Sequence, residues 1–349
     1  MKQPALGLVS SAVVMVIALG FISLVDLPTF NGWVAFIALC FIPMSIVAGI
    51  TWGGTPPFAP QLGQPAKGLV LLVTTALVAL LAAYLIIHQG IGEDHVPPGP
   101  VPTHFAIIAV VWTFWMAIMM GGWPVTAAVK SALPAGLGVL IVAYLVTYTV
   151  FRVFFNYDFL QGTPVYLESA PRGLYMAILA LVFCVTHVAA MFLVLLFDLW
   201  PFTASSARLP GLMKQPILGV VWTLTTLVIV SIAMYVGVSV MGTDPMVFLT
   251  RVTVPFIFGS IMVLNMFQNS LFGSMTQPMK GMANTAIAIV IGVALATLYG
   301  AVGPAIIGPL VSGPPSYDYE IWLANALLGI TFPLLVFEAV YFEFWPFKR

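Results

Sequence analysis

Charge is the scarcest commodity in this chain of 349 residues: only 6% are Asp, Glu, Lys or Arg, eleven of each sign. Soluble domains carry about 25% charged residues, so an ordinary water-facing surface is excluded. Cysteine is nearly absent too. Cys40 and Cys184 each sit inside an apolar run, where a thiol behaves as a small hydrophobe, and no disulfide is expected. The chain contains no phosphate-binding glycine loop, nucleophile elbow, zinc-protease motif or cytoplasmic domain. ATP hydrolysis within this chain is thereby excluded, and nothing suggests nucleic acid as a partner.

What is abundant is apolar sequence: 61% hydrophobic residues and a mean hydropathy of +1.10. In lipid every backbone polar group must be satisfied internally, and continuous apolar runs are not the alternating pattern of a barrel, so the spans are helices. The expectation is an all-α integral membrane protein, a single transmembrane domain over 1–349. Ten runs reach the roughly 20 residues needed to cross about 30 Å of hydrocarbon: 5–25, 33–52, 66–89, 104–128, 134–155, 172–199, 216–241, 246–273, 280–302 and 320–345. Met1-Lys2 precedes the first run as in a signal peptide, but no small-residue cleavage site follows, and the run reads as the first helix.

Punctuation recurs along the chain. An aromatic residue closes an apolar segment at Trp52, Trp123, Trp200, Phe272 and Trp345, at intervals of 71, 77, 72 and 73 residues. Segments open with Gln3-Pro4-Ala5-Leu6-Gly7, Gln64-Pro65-Ala66-Lys67-Gly68, Gln215-Pro216-Ile217-Leu218-Gly219 and Gln277-Pro278-Met279-Lys280-Gly281, with Leu133-Pro134-Ala135-Gly136 a degenerate fifth. Proline suits a first helical turn, where its missing N–H has no partner to lose. Five tandem repeats follow, about 1–62, 63–132, 133–213, 214–275 and 276–349, each a helical hairpin in the same orientation.

Ten spans put Lys2, Lys67, Lys130, Arg208, Lys214, Lys280, Lys348 and Arg349 on one face with Asp198, Glu338 and Glu343. The other face receives Arg152, Arg172 and Arg251 with Asp26, Glu93, Asp94, Asp158, Glu168, Asp244, Asp318 and Glu320. Positive residues thus divide 8 to 3, which predicts a multi-pass protein of the cell (inner) membrane with both termini cytoplasmic.

Odd spans are rich in small residues, as in Ser10-Ser11-Ala12 and Thr74-Thr75-Ala76, whereas even spans carry bulk such as Phe36, Trp112, Phe114, Phe192, Phe258 and Phe332. Small residues permit close approach or line a narrow passage, and large aromatics suit the lipid boundary. The expectation is an inner ring of odd helices within an outer ring of even ones; the alternative is an irregular bundle whose small residues merely pack. Five same-sense hairpins with inner odd helices resemble the tellurite-resistance and slow-anion-channel family, whose members are anion channels or transporters. The resemblance is one of organisation, with no shared residue motif, and implies a central pore but carries over no site.

Polar groups at membrane depth are costly and mark candidate sites. Aligned on the aromatic mark, the position seven residues before it is Ser45, Met116, Leu193, Asn265 and Glu338, so Asn265 and Glu338 are expected at one level, with Gln268 and Asn269 on the face of Asn265. Glu338 would be the ion or proton group of a constriction; a glutamate two turns from a helix end also simply reaches the interface. His187, lone in the sixth span, is more often a helix-to-helix hydrogen-bond donor than a relay. Arg152 and Arg251, with Arg172, could make an anion-attracting mouth, but their face is net −5 and arginines there also snorkel. His88, His95 and His104, with Glu93 and Asp94, are of metal-ligand type but match no compact motif, and a solvated acidic loop explains them as well. Pro43, Pro255 and Pro333 interrupt even spans, and Gly300 to Pro304 is expected to end the ninth before a partly re-entrant loop over 304–319. No cofactor is indicated. The composition fits a channel or ion-coupled carrier for a small solute or ion, working alone or as a homo-oligomer. The alternatives are a membrane subunit bound to partner proteins and an intramembrane metal-dependent enzyme.

Overall fold

The computed structural model describes residues 1–88, 91 and 97–348. Among the described residues ten helices are long and apolar enough to cross a membrane: α1 Ala5–Ile22, α2 Leu27–Thr51, α3 Ala66–His88, α4 Pro100–Met119, α5 Ala132–Phe154, α6 Ala177–Leu196, α7 Ile217–Val240, α8 Pro245–Met266, α9 Met279–Ile307 and α10 Asp318–Tyr341. All ten expected spans are present. Helix α9 runs through Pro304 to Ile307 instead of ending before it. The only strands among the described residues, β1 (Phe155–Asn156) and β2 (Tyr175–Met176), tie the two ends of the α5–α6 loop in a short parallel pair.

The layering is the reverse of the sequence expectation. Within the most apolar window of each helix, 28–39% of residues are buried in the odd helices against 61–72% in the even ones. The even helices form a closed ring, α2 against α4, α4 against α6, α6 against α8, α8 against α10, and α10 back against α2. The odd helices lie outside it. Five helices around an axis leave a gap that only bulk fills, so the aromatics that sequence logic sent to the lipid are inside, with Phe36, Phe258 and Phe332 all buried. The small residues of the odd helices occupy one narrow stripe, such as Gly68, Thr75 and Ala79 of α3, that lets each lie close on the ring. Their remaining surface is Leu, Val and Ile turned outward, as at Val16, Leu77 and Val228. The resemblance to the anion-channel architecture rested on inner odd helices and falls with them.

Packing also regroups the helices. Each odd helix makes its most extensive contact with the even helix before it, α3 on α2, α5 on α4, α7 on α6 and α9 on α8, while α1 packs on α10 and α8. The pairs that the sequence grouped as hairpins touch less. Helix α9 shows the path: it starts against Phe197 at the end of α6, crosses α8 where Gly292 meets the Pro255 carbonyl, and finishes on α10, with Tyr299 Oη 2.8 Å from Thr331 Oγ1.

The Gln-Pro-x-x-Gly marks are the joints of this arrangement. Gly7, Gly68, Gly136, Gly219 and Gly281 lie against Met266, Phe342, Trp52, Met120 and Phe197, the ends of α8, α10, α2, α4 and α6, and a Cβ at any of them would overlap its neighbour. The glutamine makes the joint directional. At Gln3, Gln215 and Gln277 the carboxamide oxygen accepts from the glycine N–H four residues on, as Gln215 Oε1 does from Gly219 (3.1 Å), which caps a free helical donor. At two marks its nitrogen donates to the last turn of the facing helix, Gln215 to the Met119 carbonyl (2.8 Å) and Gln64 to that of Tyr341 (2.7 Å), while Gln277 donates to the Asp198 carboxylate (2.9 Å). Where the mark is degenerate and glutamine is missing, the Trp52 indole supplies the bond instead, donating to the Ala132 carbonyl at 2.9 Å.

Four even helices end alike, in a π-helical turn at Val47–Thr51, Trp115–Met119, Met262–Met266 and Phe337–Tyr341. Two left-handed residues follow: Gly53 and Gly54, Gly121 and Gly122, Gln268 and Asn269, Glu343 and Phe344. Helix α6 lacks the π turn yet ends on the same pair, Asp198 and Leu199. The second residue's N–H folds back onto the helix, as from Gly54 to the Ala48 carbonyl (2.9 Å), satisfying an end that water could not reach.

Candidate functional site

A cavity of about 590 Å³ lies on the axis of the even ring, lined by residues from all five of its helices. It opens between the helix ends, beside Asp198 and Leu199. Its first level consists of the residues three before each left-handed pair: Ile50, Ile118, Leu195, Asn265 and Val340. The deepest lining residues on α4, α6 and α10 are Phe114, Phe192 and Phe332, which close the floor. Phe114 meets Phe192 edge-on with ring centroids 5.6 Å apart and lies 6.2 Å from Phe332. Edge contacts of this kind hold rings together without a covalent or polar tie.

Of the sixteen lining residues only Ser45, Asp198 and Asn265 carry polar side chains. Ser45 spends its hydroxyl on the Ile42 carbonyl (2.8 Å). Asp198 is neutralised at the rim: Oδ1 accepts from Asn269 (2.9 Å), and Oδ2 from Gln277 (2.9 Å) and Lys280 (2.8 Å). Partial burial acts to raise the Asp198 pKa, but the hydrogen bonds from Lys280, Gln277 and Asn269 outweigh it and hold the carboxyl below its ordinary range. Asn269 in turn accepts from Asn284 at 2.8 Å. Asn265 alone has a side-chain amide in the cavity without a hydrogen-bond partner among the described residues.

The rim contains an internal control. Lys67 pairs with Glu343 as Lys280 pairs with Asp198. Both lysines occupy the fourth position of a Gln-Pro-x-Lys-Gly mark, and both acids are the first left-handed residue of the facing helix end. At the other three joints that residue is Gly53, Gly121 or Gln268, and the facing mark carries Ala135, Leu218 or Leu6. Acid and base occur together or not at all.

The sequence candidates scatter around this geometry. Asn265 lines the cavity as a site residue should. Glu338 does not: α10 presents Phe332, Val336 and Val340 to the axis, and Glu338 is turned away toward Ser10 of α1. Neither Glu338 Oε1 nor Ser10 Oγ makes a hydrogen bond among the described residues. Alignment on the aromatic mark misled because Trp52 precedes its left-handed pair whereas Phe272 trails its own by three residues. Gln268 and Asn269 share no helical face with Asn265, since α8 ends at Met266 and both are left-handed. His187 is buried toward α7, with Nε2 2.8 Å from Thr226 Oγ1.

On the opposite face, Arg152 donates to the Ser169 carbonyl at 3.0 Å. Arg152 and Arg172 both line an open cavity of about 860 Å³ in the α5–α6 loop. Hydrogen bonding to the Tyr166 hydroxyl, then the charge of Asp158, raises the Arg172 pKa. Arg251 lies apart, in a cleft beside α9. His104 Nδ1 is 3.0 Å from the buried Tyr157 hydroxyl, and the His88 ring packs on Tyr84 at 4.4 Å. Glu93, Asp94 and His95 fall outside the described residues, and among those described no three His, Cys, Asp or Glu gather as a metal site would need. Asp198, the Phe114–Phe192–Phe332 floor and the aliphatic ring were not singled out from sequence; spacing measured back from the helix-ending pair would have found the ring.

No family model, no curated protein and no solved structure matches this chain.

Proposed function

We propose that this multi-pass membrane protein is a passive transporter of small uncharged solutes, built from five tandem repeats, whose route is the axis of the even helices. The observation that carries the reading is a cavity walled by every member of the ring, open at one face and stopped by three phenylalanines. Hydrophobic constrictions gate by excluding water, and the movement of a few rings opens or closes such a route. The lining favours a neutral solute: its one carboxylate is neutralised by Lys280, and its one uncommitted polar group is the Asn265 amide. Positive residues gather on the face where the cavity opens, which supports a cytoplasmic mouth.

The experiment is solute flux into liposomes containing the purified chain alone, followed by light scattering with urea, glycerol or potassium chloride as probe. Urea or glycerol should enter faster than in protein-free vesicles, and Phe114→Ala should speed entry several-fold. Permeation of potassium chloride in place of the neutral probes would reject the solute class. Absence of flux in both wild type and Phe114→Ala would reject transport by this chain and favour a subunit role.

A further inference from the structure

A second cavity, about 370 Å³, lies at the opposite face, where α9 has crossed α8 and approaches α10. Helix α8 contributes Arg251, α9 Val293 and Ala296, the α9–α10 loop Leu310, and α10 Tyr319 and Leu323. Arg251 is six residues into α8, about 9 Å along the axis at 1.5 Å per residue, so its side chain springs from within the span. A charge at that depth needs a counter-charge or a path to the headgroups. Among the described residues no carboxylate pairs with it. Asp244 is engaged by the N–H groups of Met246 and Val247 and by the Tyr317 hydroxyl. Both oxygens of the buried Glu320 are taken, by Ser312 Oγ (2.6 Å) and the Gly313 N–H (3.1 Å). The threonines of the cleft are committed as well, Thr250 to the Met246 carbonyl and Thr297 to that of Val293.

Among the described residues the uncommitted donors of the cleft are the Arg251 guanidinium and the Tyr319 hydroxyl, above a wall of Val293, Ala296, Leu310 and Leu323. The cleft opens outward, since Arg251 and Val293 are exposed, and Val290 continues the apolar surface one turn along α9. A planar guanidinium matches a phosphate geometrically as well as in charge, and the aliphatic wall matches an acyl chain. We infer that this cleft binds one anionic phospholipid of the leaflet opposite the axial cavity's mouth, its phosphate on Arg251 and the start of one chain along Val293 and Leu310. The inference is independent of any transport activity.

Native mass spectrometry of the protein extracted from vesicles of phosphatidylcholine and phosphatidylglycerol, in mild detergent, tests it. Wild type should retain one more phosphatidylglycerol than Arg251→Gln, and Val293→Trp, which keeps the charge but narrows the lipid-facing cleft, should lose it too. Arg152→Gln, an arginine on the same face already bonded to Ser169, should retain it. Equal retention by wild type and Arg251→Gln would overturn the site, and so would retention by Val293→Trp. Added phosphatidylglycerol should raise the melting temperature of the wild-type protein. An equal rise from inorganic phosphate at the same concentration would mark a soluble-anion site and overturn the lipid assignment.

Discussion

The odd and even helices are all apolar enough to span a membrane and differ in what touches them. Helix α3, an outer one, buries a single stripe in which the small residues Gly68, Thr75, Ala79 and Ala83 share the contact with Leu71 and Ile86, and turns Leu77 and Leu81 to lipid. Helix α8, an inner one, buries nearly every side of its second half, Val254, Pro255, Ile257, Phe258, Gly259, Ser260 and Ile261. In a bilayer, hydrophobicity cannot sort the two, because lipid is as apolar as Leu. Sorting falls to shape: small residues where backbones meet, bulk where a ring must be filled.

Substitutions that exchange these roles test the comparison. The largest effect is expected from Phe258→Ala, fully buried between ring helices, with a loss of about 3 kcal/mol, the low end for such cavities because lipid replaces water around the unfolded helix. Leu77→Ala, on the lipid side, should change stability by no more than about 0.5 kcal/mol. Steric-trap or detergent unfolding of both variants measures the difference, and equal losses would dissolve the inner–outer distinction.

A smaller effect separates joint from lipid face within the outer set. Gly281→Leu forces a side chain into the Phe197 ring and should cost about 1–3 kcal/mol, as overpacking does, whereas Gly20→Leu meets nothing within 4 Å and should be neutral. Thermal unfolding of the pair checks it.

The smallest is electrostatic. Because the folded pKa of Asp198 is depressed, its ties to Lys280, Gln277 and Asn269 stabilise fully above the unfolded aspartate value of about 3.9, and that contribution fades as pH falls through the folded value. Asp198 is part-exposed, so the term is modest. The melting temperature of wild type should drop below about pH 4 more steeply than that of Asp198→Asn, and parallel curves would remove the ion pair from the account.

Much of the fold was legible in the sequence. Ten apolar runs gave ten helices because length and composition decide a span, and the Gln-Pro-x-x-Gly marks fell at helix starts because proline and a carboxamide cap suit that position. The layering was not legible by composition, since Phe114 on the ring and a lipid-facing aromatic look alike in one dimension. The information was nonetheless present: in α3 and α9 small residues recur seven and eleven positions after the mark glycine, at Thr75 and Ala79, Ala288 and Gly292, a single helical stripe. One narrow stripe signals packing on one side alone, hence an outer helix. For the site, Asn265 was legible as a polar group in an apolar run, while Glu338 was misplaced because the aromatic mark stands at a variable distance from the left-handed pair: Asn265 lies three residues before its pair and Glu338 five before its own.

The most direct test of a route through the even helices is thiol modification in liposomes that carry neutral-solute flux, with Cys40 and Cys184 replaced by serine. Asn265→Cys and Ile118→Cys should react with a membrane-impermeant thiol reagent applied to the face that bears the chain termini, and reaction should block flux. Leu77→Cys and Val228→Cys, on the outer helices, should remain unmodified. Modification and block at positions 77 and 228, with 265 and 118 untouched, would place the route among the odd helices and contradict the axial pathway.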